Sequence, residues 1–231
     1  MSGQQATNGR RPFVIALDGP AASGKSSVGL GAARRLGLGY FDTGLLYRAL
    51  TWLALQECID PSDAERLSAL VDQLKLEIDP TGRVVRDGAD ITDQLQRPAV
   101  DASVSAVSAH PEVRRALRQA QRALIRPPGL VMAGRDIGTV IVPEAPLKIW
   151  LDASVEERAR RRAQQTGEPF ATVLEGMRRR DQLDASRDTA PMARAADAIT
   201  VETDGVDPER VIGAIVALAT ERGARKVSER A

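Results

Sequence analysis

The sequence predicts an α/β fold: a five-stranded, mostly parallel sheet flanked by helices, with one helical/β insert and one arginine-rich lid. Short apolar runs alternate with helical stretches along most of the chain, which is the pattern of parallel βαβ units. The first apolar run, Phe13-Val14-Ile15-Ala16-Leu17, leads into Gly19-Pro20-Ala21-Ala22-Ser23-Gly24-Lys25-Ser26. That octet fits G-x-x-x-x-G-K-[ST], a phosphate-cradling loop between a strand and a helix. Between residues 74 and 91 the alternation gives way to short strand-like runs separated by turn residues, so a small antiparallel insert is expected there.

Taken in order, the first strand covers 13–17 and its helix runs over about 24–35, ended by Gly37-Leu38-Gly39. Tyr40-Phe41 supplies a short second strand, and a helix over 44–57 follows with Asp42-Thr43 as capping candidates. Pro61-Ser62-Asp63 opens another helix, over 64–73. The insert pairs 74–78 with Val84-Val85 across the turn Asp79-Pro80-Thr81-Gly82, and Asp87-Gly88 marks a second turn before Ile91. Helices return over 98–109 and 111–125. Pro127-Pro128-Gly129 resets the chain for the third core strand, 130–133; the fourth is 147–151, the fifth 198–201, and the last helix spans 208–222.

Bulk composition sets bounds. With 231 residues, 43% of them hydrophobic, the chain can bury one large core. Lys and Arg number 32 against 31 Asp and Glu, so net charge points to neither a nucleic-acid nor a membrane partner. Cys58 is the only cysteine, which excludes an intrachain disulfide and fits a reducing cytoplasm. No apolar run reaches the roughly 18 residues of a transmembrane helix. Residues 1–11 are polar and read as a disordered tail rather than a secretory signal. His110, the sole histidine, precedes Pro111 and reads as a helix-boundary residue, so histidine-based catalysis is not expected.

The glycine-rich loop carries the first chemistry. Its backbone N–H groups converge on an anion site reinforced by the following helix N-terminus, so a nucleoside triphosphate is the expected ligand. Lys25 can reach the β- and γ-phosphates, and the Ser26 hydroxyl can ligate Mg²⁺. An ordinary glycine-rich turn is the alternative, and the strand before, the helix after and the intact Lys-Ser pair argue against it.

Further constellations lie at the same edge of the sheet, where ligands bind in open α/β folds. Asp42-Thr43-Gly44-Leu45-Leu46-Tyr47-Arg48 follows the second strand; Thr43 offers a hydroxyl and Arg48 a cation, unless they are only a cap and a solvated arginine. Gly134-Arg135-Asp136-Ile137-Gly138-Thr139 follows the third core strand. There Arg135 can clamp a phosphate and Asp136 can accept from an amino group or a ribose hydroxyl, the alternative being a structural Arg–Asp pair. Arg158, Arg161 and Arg162 share one helical face, and Arg180, Asp184 and Arg187 form a second stripe. Aromatics make up 3% of the chain and none interleaves with these arginines, which speaks against nucleic-acid binding. Arginines on a mobile lid instead suit phosphoryl transfer, where they stabilise dispersed negative charge and exclude water.

These motifs together resemble the bacterial cytidylate (CMP) kinases, within the P-loop nucleotide kinase fold, from about Phe13 to the final helix. The resemblance rests on Asp18-Gly19-Pro20, Asp42-Thr43-Gly44 with Tyr47-Arg48, Gly134-Arg135-Asp136-Ile137-Gly138-Thr139, Leu151-Asp152-Ala153-Ser154, and Arg180-Asp181 with Asp184, Arg187 and Ala190-Pro191. It implies a core domain of 12–42, 127–155 and 190–225, a monophosphate-binding region of 43–126 and a lid of 156–189. It implies transfer of the γ-phosphoryl of ATP to CMP or dCMP with Mg²⁺ as cofactor, by a monomer. Residues Asp18 to Ser26 would hold the ATP phosphates, with Lys25 catalytic. Thr43, Ser105, Arg114 and Asp136 would lie at the cytosine; Arg48, Arg135 and Arg180 would hold the monophosphate; Asp184 and Arg187 would contact the ribose. Arg158 and Arg162 are the lid candidates toward ATP. Many such enzymes carry an acid just before Gly-Arg-Asp; here Ala133 stands there, so either Asp18 or Asp136 would substitute through water, or Mg²⁺ would rest on Ser26 and phosphate oxygens alone. A kinase for another small-molecule or nucleoside monophosphate acceptor and, from a different class, a nucleotide-binding switch or RNA-binding ATPase are the rival readings.

Overall fold

The computed structural model describes residues 11–78, 83–186 and 190–224. The N-terminal segment, the turn at 79–82 and Arg187 lie outside these residues.

From the N-terminus, β1 (Phe13–Asp18) leads through the glycine-rich loop to α1 (Lys25–Leu36), and β2 (Gly39–Asp42) leads to α2 (Gly44–Gln56). After α3 (Ala64–Leu70) come three short strands, β3 (Leu76–Ile78), β4 (Val84–Arg86) and β5 (Ala89–Asp90), then α4 (Pro98–Ala109) and α5 (Pro111–Ala123). The chain re-enters the core with β6 (Gly129–Gly134) and β7 (Leu147–Asp152). It adds the arginine-rich helices α6 (Val155–Thr166) and α7 (Phe170–Ala185), and finishes with β8 (Ile199–Glu202) and α8 (Pro208–Glu221).

The main sheet has five parallel strands in the order β2-β6-β1-β7-β8, and β3-β4-β5 form a separate antiparallel sheet. β1 is central, and Ile15, Ala16 and Leu17 are fully buried because both faces of the sheet are covered. On one face α1 and α8 close a core of Val28, Ala32, Leu36, Ile212 and Ile215; on the other, Leu50, Leu67, Val107 and Leu117 join the insert region to the sheet. Register does the positioning. Asp18 lies opposite Gly134 on β6, and Asp42 lies opposite Ala133, so three sequence-distant turns emerge side by side from the carboxyl ends of β1, β2 and β6.

Several boundaries differ from the sequence reading. The helix expected over 64–73 ends at Leu70, and Val71–Gln73 tightens into a 3₁₀ turn. α5 stops at Ala123, and β8 starts at Ile199 because Ala198 is spent on a turn to the Ala195 carbonyl. Thr43 does not cap α2 with its side chain: its hydroxyl donates to the Ala133 carbonyl at 2.9 Å, while the Asp42 carboxylate accepts from Gly44 N–H at 2.9 Å. A π-helical turn over Ile137–Ile141 follows Asp136 and was not anticipated; one such turn leaves no period in the sequence. Among the described residues no helix is long and apolar enough to cross a membrane.

Candidate active site

Gly19 begins the donor side at φ 150°, with a Cβ there colliding with the Leu151 carbonyl, so only glycine lets β1 turn this close to β7. Lys25, at the start of α1, folds back into the loop and donates to the carbonyls of Gly19 at 2.8 Å and Pro20 at 2.6 Å. Burial, with repulsion from Arg135, pulls its ammonium well below the ordinary value. The ammonium is thus folded into the loop, its hydrogen bonds spent on the loop's own carbonyls and the Ser23 hydroxyl. Arg158 closes the loop from α6, donating to the Ala21 carbonyl at 3.2 Å and pairing with Asp181 at 2.6 Å.

The Asp18 side chain is turned away from the loop. Its two oxygens accept from the N–H groups of Ile137 at 2.8 Å and Gly138 at 2.7 Å, which ties β1 to the turn that carries Asp136. Burial pushes this carboxyl up to about 6, against the two N–H bonds that favour its charged form.

Ser26 donates to the Asp42 carboxylate at 3.0 Å. Asp42, read from sequence only as a cap, is thus the acid nearest the hydroxyl expected at the metal. Its β2 position opposite Ala133 brings a carboxylate to the edge where Ala133 supplies none. Burial and the adjacent Asp42 push the Tyr40 phenol up, so it stays protonated beside this pair. Among the described residues no three His, Cys, Asp or Glu side chains cluster to hold a metal by themselves. An oxygen pair beside a phosphate loop suits Mg²⁺, which keeps waters and takes its other ligands from substrate phosphates.

The acceptor side is one cleft lined by Thr43, Tyr47, Arg48, Ser108, Arg114, Arg135, Asp136, Arg180 and Asp184, among others. Gly134 keeps it open, since a Cβ would stand 2.7 Å from the Thr43 hydroxyl. At its floor the buried Arg114 and Asp136 meet at 2.5 Å, with Arg114 also donating to the Ser108 carbonyl and stacking 5.4 Å from the Tyr47 ring. Arg135 pairs not with its neighbour Asp136 but with Asp184 at 3.1 Å, and reaches the Gly19 carbonyl at 3.2 Å. Arg48 bridges the Leu95 carbonyl and Asp101. Arg180 is the exception: among the described residues no ion pair holds it, its Nε is buried without a hydrogen bond, and burial and Arg135 pull it down. Ser105 is half-buried and does not line the cleft, where Ser108, one turn on, does. The stripe of Arg158, Arg161 and Arg162 fans out: Arg161 goes to Thr203 after β8, and Arg162 goes to Asp101 on α4.

The glycine-rich loop and a cleft holding Arg180 and the buried Arg114–Asp136 pair thus open at the same edge of the sheet. The cytidylate kinase family model matches residues 15–221. The chain belongs to the cytidylate kinase family. It is 48% identical over 219 residues to a cytidylate kinase of Herpetosiphon aurantiacus, covering 90% of this chain and 94% of that one. It is 42% identical over 224 residues to a cytidylate kinase of Roseiflexus castenholzii, covering 91% and 95%. Among solved structures, an uncharacterized protein from Eubacterium ventriosum superposes with a TM-score of 0.50 at 12% identity, covering 90% of this chain and 98% of that one, a likeness of fold alone.

Proposed function

We infer that this family member transfers the γ-phosphoryl of ATP to CMP or dCMP, giving ADP and CDP or dCDP. The observation that carries the acceptor assignment is the buried Arg114–Asp136 pair at the cleft floor. Cytosine presents an amino donor beside acceptors; a carboxylate accepts from the amino group while a guanidinium donates to the ring. Uracil would set a carbonyl against Asp136, and a purine would need a deeper floor. Arg48, Arg135 and Arg180 would clamp the monophosphate, Arg180 supplying a cation that makes no ion pair among the described residues. Asp184 and Arg187 would serve the ribose and Thr43 the base edge.

In the reaction an oxygen of the CMP phosphate attacks the γ-phosphorus, and the bond from that phosphorus to the β–γ bridging oxygen breaks, leaving ADP. The monophosphate is already an anion, so no general base is required; orientation and charge neutralisation carry the step. Lys25, Arg158 and Arg162 would neutralise the transferred group from the donor and lid sides. Ser26, backed by Asp42, would hold Mg²⁺, which when bound screens the ATP phosphates. The reading includes a monomer acting in the cytoplasm, with ATP, CMP and dCMP as its partners and no nucleic acid or membrane.

A coupled ADP-release assay with a panel of monophosphates tests it. CMP and dCMP should drive turnover at least tenfold faster than UMP, AMP or GMP. Equal turnover with AMP would remove the cytosine assignment, and release without any acceptor would favour a nucleotide-binding switch.

A further inference from the structure

Asp101 links two cations from different parts of the cleft, one in the acceptor region and one on the first lid helix. It lies on α4, in the acceptor region, with its side chain 31% exposed. Its Oδ1 accepts from Arg48 at 2.5 Å, and its Oδ2 from Arg162, on the first lid helix, at 3.4 Å. Arg48 has a second anchor, the Leu95 carbonyl at 2.7 Å. For the Arg162 side chain, Asp101 is the one hydrogen-bond and ion-pair partner among the described residues. One carboxylate is therefore divided between a short bond to an acceptor arginine and a long bond to a lid arginine.

We propose that Asp101 is a positioning residue that holds Arg162 over the cleft and couples occupancy of the acceptor site to closure of the lid. The coupling follows from charge. An incoming phosphate dianion competes with Asp101 for Arg48, whose second anchor keeps it in place. Asp101, displaced from Arg48 and repelled by the dianion, keeps its hydrogen bond to Arg162 while the nearby Arg180 turns to the phosphate, so the long bond shortens and α6 is drawn toward α4. The lid arginine thus reaches the donor phosphates only when an acceptor is present, which limits transfer to water. No motif marks this carboxylate; Asp101 sits at i, i+3, i+7 spacing with Val104 and Ser108, which line the cleft.

The proposal rests on the kinase reading, and two measurements separate their fates. In steady-state kinetics Asp101→Asn, which keeps shape and loses charge, should lower kcat about five- to tenfold without raising KM for CMP. Arg162→Gln should lower it by a similar factor, the double variant should be no worse than either single one, and Asp101→Glu should stay within about twofold of the parent. An unchanged kcat in Asp101→Asn, losses that multiply in the double variant, or a defect confined to KM for CMP would each overturn the proposal. Hydrogen exchange of the α6 amides in ligand-free protein needs no assumption about substrate. Asp101→Asn and Arg162→Gln should accelerate it equally, and exchange unchanged in both would sink the latch even in an active kinase. Absence of CMP turnover by the parent, with the exchange effect intact, would instead remove the kinase reading.

Discussion

The donor loop from Gly19 to Ser26 and the acceptor cleft from Thr43 to Asp184 address the same group, a phosphate, by different means. The loop is one stretch of chain whose backbone turns between β1 and α1, and its single cation, Lys25, is held by the loop's own carbonyls. The cleft assembles side chains from α2, α4, α5, α7 and the turn after β6, and sets acids against its arginines: Asp136 against Arg114, Asp184 against Arg135, Asp101 against Arg48. A local site can be damaged one residue at a time. In a networked site, removing one member leaves a partner charged and buried.

The sharpest break in that comparison is Lys25→Ala. It should lower kcat/KM by about a thousandfold, roughly 4 kcal/mol of transition-state stabilisation, with any acceptor and with little change in melting temperature. A kcat/KM within tenfold of the parent would deny Lys25 its role. Asp136→Ala should do two things at once. KM for CMP should rise about a hundredfold with KM for ATP within about threefold, and stability should fall by about 3–5 kcal/mol because Arg114 loses its buried partner. A thermal scan showing no loss would mean that the cleft is no more networked than the loop.

Asp18 joins the two halves, and its contribution has an unusual sign. Its folded value, about 6, lies above the ordinary aspartate value of 3.8, so the folded protein binds this proton more readily than the unfolded chain. Ionised Asp18 therefore costs stability above pH 6, and that cost is relieved as pH falls toward 3.8. Against Asp18→Asn, the parent should gain about 2 kcal/mol of relative stability between pH 7 and pH 4 in urea titrations. A pH-independent difference would contradict the buried, charged carboxylate. The smallest expected effect is that of Asp42→Asn, which should raise the Mg²⁺ concentration for half-maximal activity about five- to tenfold while leaving KM for CMP unchanged. A shift in KM for CMP alone would assign Asp42 to the acceptor side.

Legibility in the sequence follows the same division. The glycine-rich loop, the alternating strands and the antiparallel insert were readable because each is local: a motif, a period or a turn carries it. The π-helical turn at Ile137–Ile141 was not, since one irregular turn has no period. Asp42 was read as a cap, and it does accept from Gly44 N–H, but its second oxygen's bond to Ser26 depends on β2 and β1 lying on either side of β6. Arg135-Asp136, adjacent in sequence, invited a mutual pair; the turn sends them to Asp184 and Arg114 instead.

The sequence by itself determined the parallel α/β class, the phosphate loop and the arginine-rich segment, because those depend on residues within a few positions of one another. Only the tertiary structure decided which acid answers which arginine, that Arg180 stands without one among the described residues, and that Asp101 reaches across to the lid. The reason is physical. A hydrogen bond between side chains from different elements is fixed by strand order and register, and neither is written in the spacing along the chain.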